Sequence, residues 1–136
     1  MAEANVETLR RGYRALNRRD LTGVMDLIDE NLVWDAGDLS PDGQSPTPGR
    51  ESFAVFVRSW IDAFEDFRIE PREVIELGPF LLAVVRQSGR GRASGAPIDI
   101  EIVHLWTIDD GRAIRLQSHR TRDSALEAVG PHYRTA

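Results

Sequence analysis

Ile98-Asp99-Ile100-Glu101-Ile102-Val103-His104-Leu105-Trp106-Thr107-Ile108 alternates in character almost residue by residue. Successive side chains of a β-strand point to opposite faces, so Ile98, Ile100, Ile102, His104, Trp106 and Ile108 share one face while Asp99, Glu101 and Thr107 share the other. The stretch is a strand with one face in a core, and the one ionisable group on that face is an imidazole. Phe67 to Leu77, Phe80 to Ser88 and Ala113 to Thr121 have the same period-two or continuous apolar character. The segments between these runs, Gly78-Pro79, Gly89 to Pro97 and Asp109-Asp110-Gly111, are turn chemistry. Strands joined this way predict an antiparallel meander.

Upstream the period lengthens. Phe53, Phe56, Val57, Trp60, Ile61 and Phe64 form one stripe of a helix that opens at Arg50. Val6, Leu9, Tyr13 and Leu16 predict an amphipathic first helix over Asn5 to Asn17. Asp20 is placed to cap a shorter second helix with the stripe Leu21, Val24, Met25 and Ile28. Leu32-Val33-Trp34 is a short strand, and Asp35 follows it. Gly37 to Gly49, with three Pro and three Gly in thirteen residues, is a loop by composition. Asp123 is expected to cap a last helical turn ending at Gly130. Helices gathered before strands indicate an α+β fold in a single domain over residues 1–136, with its core at about 6–130 and a polar tail at 131–136.

Composition removes several kinds of chemistry. There is no cysteine, so no disulfide, thiolate nucleophile or Cys-based zinc site is available. All 17 basic residues are arginine, which removes Schiff-base chemistry and a P-loop lysine. A net charge of −5 argues against a nucleic-acid partner. The longest apolar run, Phe80 to Val85, is far short of the ~18 residues of a membrane span, and the first residues have no signal-peptide pattern. The expected address is cytoplasmic. Gly89 to Gly95 misses the dinucleotide fingerprint by one position and precedes a strand, so it is a hairpin turn. His104 and His119 on neighbouring strands lack a clear third ligand, so no metal and no cofactor is expected.

The site candidates follow from the inward faces. His104 is either a hydrogen-bonded core group or a catalyst, and its burial is expected to lower its pKa. Asp35 is a general base at a cavity mouth or a solvated turn residue. Tyr13 is a satisfied core tyrosine or a pocket donor. Trp34, Trp60 and Trp106 either fill the core or line a cavity in it. The expected pocket sets Phe56, Trp60 and Phe64 against Ile102, His104 and Trp106, with the 37–49 loop across its mouth. His119 is expected beside it, and Tyr13, His104, Ser118 and Arg120 supply its polar groups. Apolar residues on both strand faces, as in Leu81-Leu82-Ala83-Val84-Val85, predict that the outer face is also covered, by a second copy of the chain.

Four stretches, Ala15 to Leu21, Trp60 to Phe67, Leu105 to Arg112 and Ala125 to Gly130, resemble the SnoaL-like branch of the nuclear transport factor 2-like superfamily over about Val6 to Gly130. The resemblance implies a cone: three helices in the N-terminal half packed on a strongly curved, mainly antiparallel sheet around an apolar cavity. It also suggests a homodimer. Its members include polyketide cyclases, ketosteroid isomerases and epoxide hydrolases, and also proteins that only bind or assemble. The isomerase tyrosine and aspartate would fall on Gly12 and Ala36, one position from Tyr13 and Asp35, and the central-strand acid falls near His104. Where many relatives carry an aromatic and an aspartate at the end of the last strand, this chain has His119 and Thr121, with Asp123 close by. Two functions follow as expectations. One is a cofactor-free isomerase, cyclase or hydratase that moves a proton beside the carbonyl of a small apolar metabolite (polyketide, steroid or terpenoid-like). The other is a binding or assembly module of the same shape.

Overall fold

The computed structural model describes residues 2–35 and 47–130. Helix α1 (Ala2–Asn17) and the short α2 (Leu21–Met25) precede strand β1 (Ile28–Asp35) and the two-residue strand β2 (Thr47–Pro48). Helix α3 (Arg50–Ala63) leads into β3 (Phe64–Leu77), β4 (Phe80–Gly91), β5 (Pro97–Asp109) and β6 (Arg112–His119), and α4 (Arg122–Val129) ends the described chain. The strands form one sheet in the order β2-β1-β6-β5-β4-β3. All neighbours are antiparallel except β1 and β6, which run parallel. The expected meander is β3 to β6, so the α+β, mainly antiparallel reading holds.

Local chemistry explains most boundaries. The Asp20 side chain accepts a hydrogen bond from the Gly23 amide at 3.0 Å and starts α2. A Cβ at Gly23 would sit 2.5 Å from an Asp20 carboxylate oxygen, so a larger residue there would force the capping carboxylate to shift. Asp110 and Gly111 have φ of 50° and 77°, the pair of positive values that a two-residue hairpin turn needs. Sheet curvature has identifiable sources too. Register shifts interrupt β3 between Glu65 and Arg68 and between Pro71 and Glu73, and β6 at Ile114, between Ala113 and Arg115. Each such bulge bends its strand, and Pro71 is tolerated because β3 is an edge.

Several boundaries differ from expectation. Ile28 belongs to β1 rather than to the stripe of α2, and β1 is longer than Leu32 to Trp34, because pairing with β6 supplies backbone partners that the local sequence does not advertise. Strand β3 starts at Phe64, so that residue ends the helical stripe as the α3 C-cap in extended conformation. The cap of α4 is Thr121, whose hydroxyl accepts from the Ser124 amide at 3.1 Å. Asp123 stands in the first turn instead, where a negative charge suits the helix dipole. Residues 37–46 of the expected loop and the 131–136 tail lie outside the described residues.

Two apolar clusters sandwich the sheet. The larger lies on the concave side, where α1 and α3 meet the inward residues of β3 to β6, including Phe67, Ile69, Leu81, Ala83, Val85, Ile102 and Trp106. The smaller lies on the outer side, where Ala125 and Val129 of α4 bury Leu82, Val84, Val103 and Leu105. The outer apolar residues that suggested a second copy are thus covered within the chain. No helix among the described residues is long and apolar enough to cross a membrane.

Helix α1 is fastened to the edge of the sheet by one side chain. Asn17 Nδ2 donates to the Ile69 carbonyl at 2.9 Å, and the Ile69 amide donates to Asn17 Oδ1 at 2.8 Å. The carboxamide thus satisfies the edge-strand backbone as another strand would. Asn17→Ala is expected to lower stability by about 2 kcal/mol in urea denaturation, because both Ile69 groups lose their partner. Arg18→Ala, whose side chain is 63% exposed in a loose pair with Asp20, is expected to change it by under about 0.5 kcal/mol.

Candidate functional site

A cavity of about 510 Å³ opens between the helices and the concave face. Its size falls in the range of pockets that enclose drug-sized molecules. One wall is aromatic. Trp34 stacks on Phe56 at 4.4 Å between ring centroids, and Phe56 meets Trp60 edge-on at 6.4 Å. The Trp34 indole donates to the Ser52 hydroxyl at 3.1 Å, which joins β1 to the first turn of α3. The opposite wall is β5, where Ile100, Ile102, His104, Trp106 and Ile108 face inward together, as the alternation predicts.

His104 is buried in that wall with a defined partner. Its Nδ1 lies 2.8 Å from the Tyr13 hydroxyl of α1, which also accepts a 3.0 Å hydrogen bond from the Trp106 indole. An indole N–H only donates, so the tyrosine oxygen is the acceptor in that bond. The hydroxyl proton is then left for Nδ1, its other polar neighbour among the described residues. Burial pushes the His104 pKa down from 6.5 to about 4 and pushes the Tyr13 hydroxyl upward, so both groups are neutral around pH 7. A neutral imidazole that accepts at Nδ1 carries its proton on Nε2. Nε2 has no hydrogen-bond partner among the described residues and is not enclosed by protein, while His104 lines the cavity. The chain Trp106 to Tyr13 to His104 therefore presents one oriented N–H donor to an apolar space.

The other site candidates divide. Tyr13, Trp34, Phe56, Trp60, Trp106 and Ser118 line the cavity with His104, and Ser118 is the direct cross-strand neighbour of His104. Phe64 is not at the surface of the cavity and stands behind it, stacked on Trp60 at 5.4 Å. Asp35, His119 and Arg120 do not line it. Asp35 follows Trp34 on β1, and neighbouring strand residues point to opposite faces. The same parity puts His119 on the outer face, where its Nδ1 lies 2.7 Å from the Ser124 hydroxyl of α4. Arg120 is exposed beyond the end of β6. The expectation of Asp35 as a general base at the cavity mouth therefore has no support in this geometry. Gln87 also lines the cavity, outside the residues expected there. It occupies an inward position two residues beyond Val85, and the alternation argument used for His104 would have found it.

The buried imidazole makes stability depend on pH. Its pKa is about 4 folded and about 6.5 unfolded, so below pH 6.5 protons favour the unfolded chain. Its contribution is fully present above pH 6.5 and is lost as pH falls toward 4, by up to about 3 kcal/mol. His104→Gln keeps an acceptor for Tyr13 and does not titrate. Urea denaturation at pH 7.5 and 4.5 is expected to show wild type losing about 2–3 kcal/mol more than this variant. Equal losses would mean that the imidazole is protonated in the folded state.

Solved structures share the fold. An NTF2-like protein of unknown function from Burkholderia pseudomallei is 25% identical, with 93% of this chain and 98% of that chain covered and a TM-score of 0.73. TerC, co-crystallised with polyporic acid, is 21% identical over 91% of this chain and 96% of that one, with a TM-score of 0.73. RV0760c from Mycobacterium tuberculosis, in complex with estradiol-17beta-hemisuccinate, is 16% identical over 88% and 95%, also with a TM-score of 0.73. No curated protein matches the chain. Residues 9–116 match the SnoaL-like domain, a span from the middle of α1 to β6 that includes Tyr13, His104 and Trp106. The chain belongs to the SnoaL-like family of NTF2-like cone folds.

Proposed function

We propose that the protein binds a small, largely apolar ring compound and holds one of its carbonyl oxygens on the Nε2–H of His104. The observation that carries this reading is the buried, oriented donor on a strand whose other cavity-lining residues are Ile100, Ile102, Trp106 and Ile108. A donor without a partner in a dry site favours a ligand that brings an acceptor. TerC with polyporic acid and RV0760c with a steroid ester are fold relatives that hold oxygenated ring compounds, which agrees with a polyketide, steroid or terpenoid-like ligand.

The same donor suits chemistry in which charge grows on that oxygen. An enolate formed by loss of a proton beside the carbonyl would be stabilised by Nε2–H, and the Tyr13 hydroxyl on Nδ1 would strengthen it. This supports a cofactor-free isomerase, cyclase or hydratase in which His104 keeps its proton and donates a hydrogen bond to the oxyanion, Tyr13 is its positioning residue, and the proton lost beside the carbonyl passes to water in the cavity or to a basic group of the substrate. A second reading, binding without turnover, is favoured by the cavity wall itself: among the described residues it contains no carboxylate to take the proton. Homodimerisation joins the proposal through the family resemblance alone. Light scattering at micromolar concentration tests it, and a mass of 15.3 kDa would remove it.

Thermal shift and tryptophan fluorescence with a panel of polycyclic ketones test binding, since Trp34, Trp60 and Trp106 all line the cavity. His104→Phe is expected to weaken binding of a ketone that binds wild type by about tenfold while leaving a matching hydrocarbon unaffected. Exchange of the ketone's α-protons in D₂O, followed by NMR, separates the two readings. An enzyme accelerates exchange and loses about 10²- to 10³-fold of it in His104→Phe. Exchange no faster than in buffer would leave binding alone. A collapse of exchange in Asp35→Asn would return that carboxylate to the site.

A further inference from the structure

Gln87 is buried, with 7% of its surface exposed, and lines the cavity from β4. Its Oε1 is sealed from solvent and has no hydrogen-bond donor among the described residues. An orphaned amide oxygen destabilises a core, and a leucine of similar size would fill the same wall without that penalty. The position of Gln87 relative to His104 is set by the sheet. His104 pairs across β4 with Ala83, and Gln87 pairs across β5 with Ile100. Between these two rungs stands the pair Val85 and Ile102, both buried and apolar. All of these residues face inward, so the concave wall carries a polar group, an apolar rung and a second polar group in line. Four residues of strand separate the two polar rungs, about 13 Å at ~3.3 Å per residue.

We propose that Gln87 is a second anchor of the cavity and selects an elongated, multi-ring ligand that carries a hydroxyl at the end opposite the carbonyl on His104. The proposal rests on the carbonyl-binding reading above and adds the length of the ligand and its far-end chemistry. A single ring with oxygens at opposite ends spans only about 6 Å by ordinary bond lengths, too short to meet both rungs. A hydroxyl both donates and accepts. The last torsion of the glutamine side chain is broad and two-fold, so either amide atom can turn to meet the hydroxyl. The apolar rung of Val85 and Ile102 accounts for a ligand body without polar atoms in its middle.

Gln87→Leu tests this with and without ligand. In the free protein the melting temperature is expected to rise by about 3 °C, because the orphaned oxygen is gone. A fall of several degrees would mean that the amide is paired in the core and would overturn the proposal. The ligand probes are androst-4-en-3-one and its 17β-hydroxy derivative, titrated by tryptophan fluorescence. Wild type is expected to bind the hydroxylated steroid about tenfold tighter, and Gln87→Leu to bring the ratio to about one while keeping its affinity for the simple ketone. Gln87→Met, of equal length, gives the same comparison if leucine packs badly. If both steroids bind and the ratio survives in the variants, the Gln87 assignment falls and the carbonyl site stands. If neither binds wild type, both fall.

Discussion

Three side chains that must satisfy one another in a dry space organise this protein. The Trp106 indole can only donate, the Tyr13 hydroxyl both accepts and donates, and the His104 imidazole completes the series. Each hydrogen bond removes the desolvation penalty of a buried polar atom, and together they join α1 to the middle of β5 across the cavity. The direction of the chain is set at its tryptophan end, and that direction decides which imidazole nitrogen carries the proton. A group that sequence alone could assign as base, donor or inert core histidine becomes a donor because of what lies behind it. The stacked rings of Tyr13 and His104, 6.0 Å apart and nearly parallel, hold the same geometry by packing.

Around this chain the fold keeps a hollow that its composition would otherwise fill. The aromatic residues of α3 and β1 stack mainly on each other, Trp34 on Phe56 and Trp60 on Phe64, so they form a wall rather than a plug. Bulges in β3 and β6 curve the sheet away from the helices. The outer cluster under α4 offsets part of the packing forgone inside, since it buries the opposite side of the same strands. A curved sheet with a filled back and an open front is the mechanical basis of the site.

Much of this was legible in the residues. The alternation over Ile98 to Ile108 placed His104 and Trp106 inward, the stripe from Phe53 to Trp60 placed the aromatic wall, and Asp20 and Asp110-Gly111 marked a cap and a turn. These features are local, and periodicity or turn chemistry reports them directly. What escaped depends on distant pairing. Ile28 has no strand pattern around it and is extended where it pairs with Ala113 of β6. Thr121 won the cap of α4 because the chain is still extended there as it leaves β6. Asp35 and His119 stand away from the cavity for another reason: each neighbours a cavity-facing residue, and strand parity sends it to the other side. Gln87 faces inward by that same parity, but a neutral amide has no titratable chemistry to mark it as part of a site.

The parallel pairing of β1 with β6 ties the first strand to the last, and Tyr13 and His104 meet although they stand 91 positions apart in the sequence. Contacts of such separation are reached only after a large loop-closure entropy has been overcome, which slows folding toward the millisecond-to-second regime of non-local topologies. During synthesis α1, α2 and β1 leave the ribosome well before Trp106 exists, so the Tyr13 hydroxyl stays hydrated and the apolar faces of α1 and α3 stay unpaired until the final strands arrive. A nascent chain that stops short of β5 lacks both His104 and Trp106, so it has no donor, and it exposes the very aromatic surface that the finished cone turns inward.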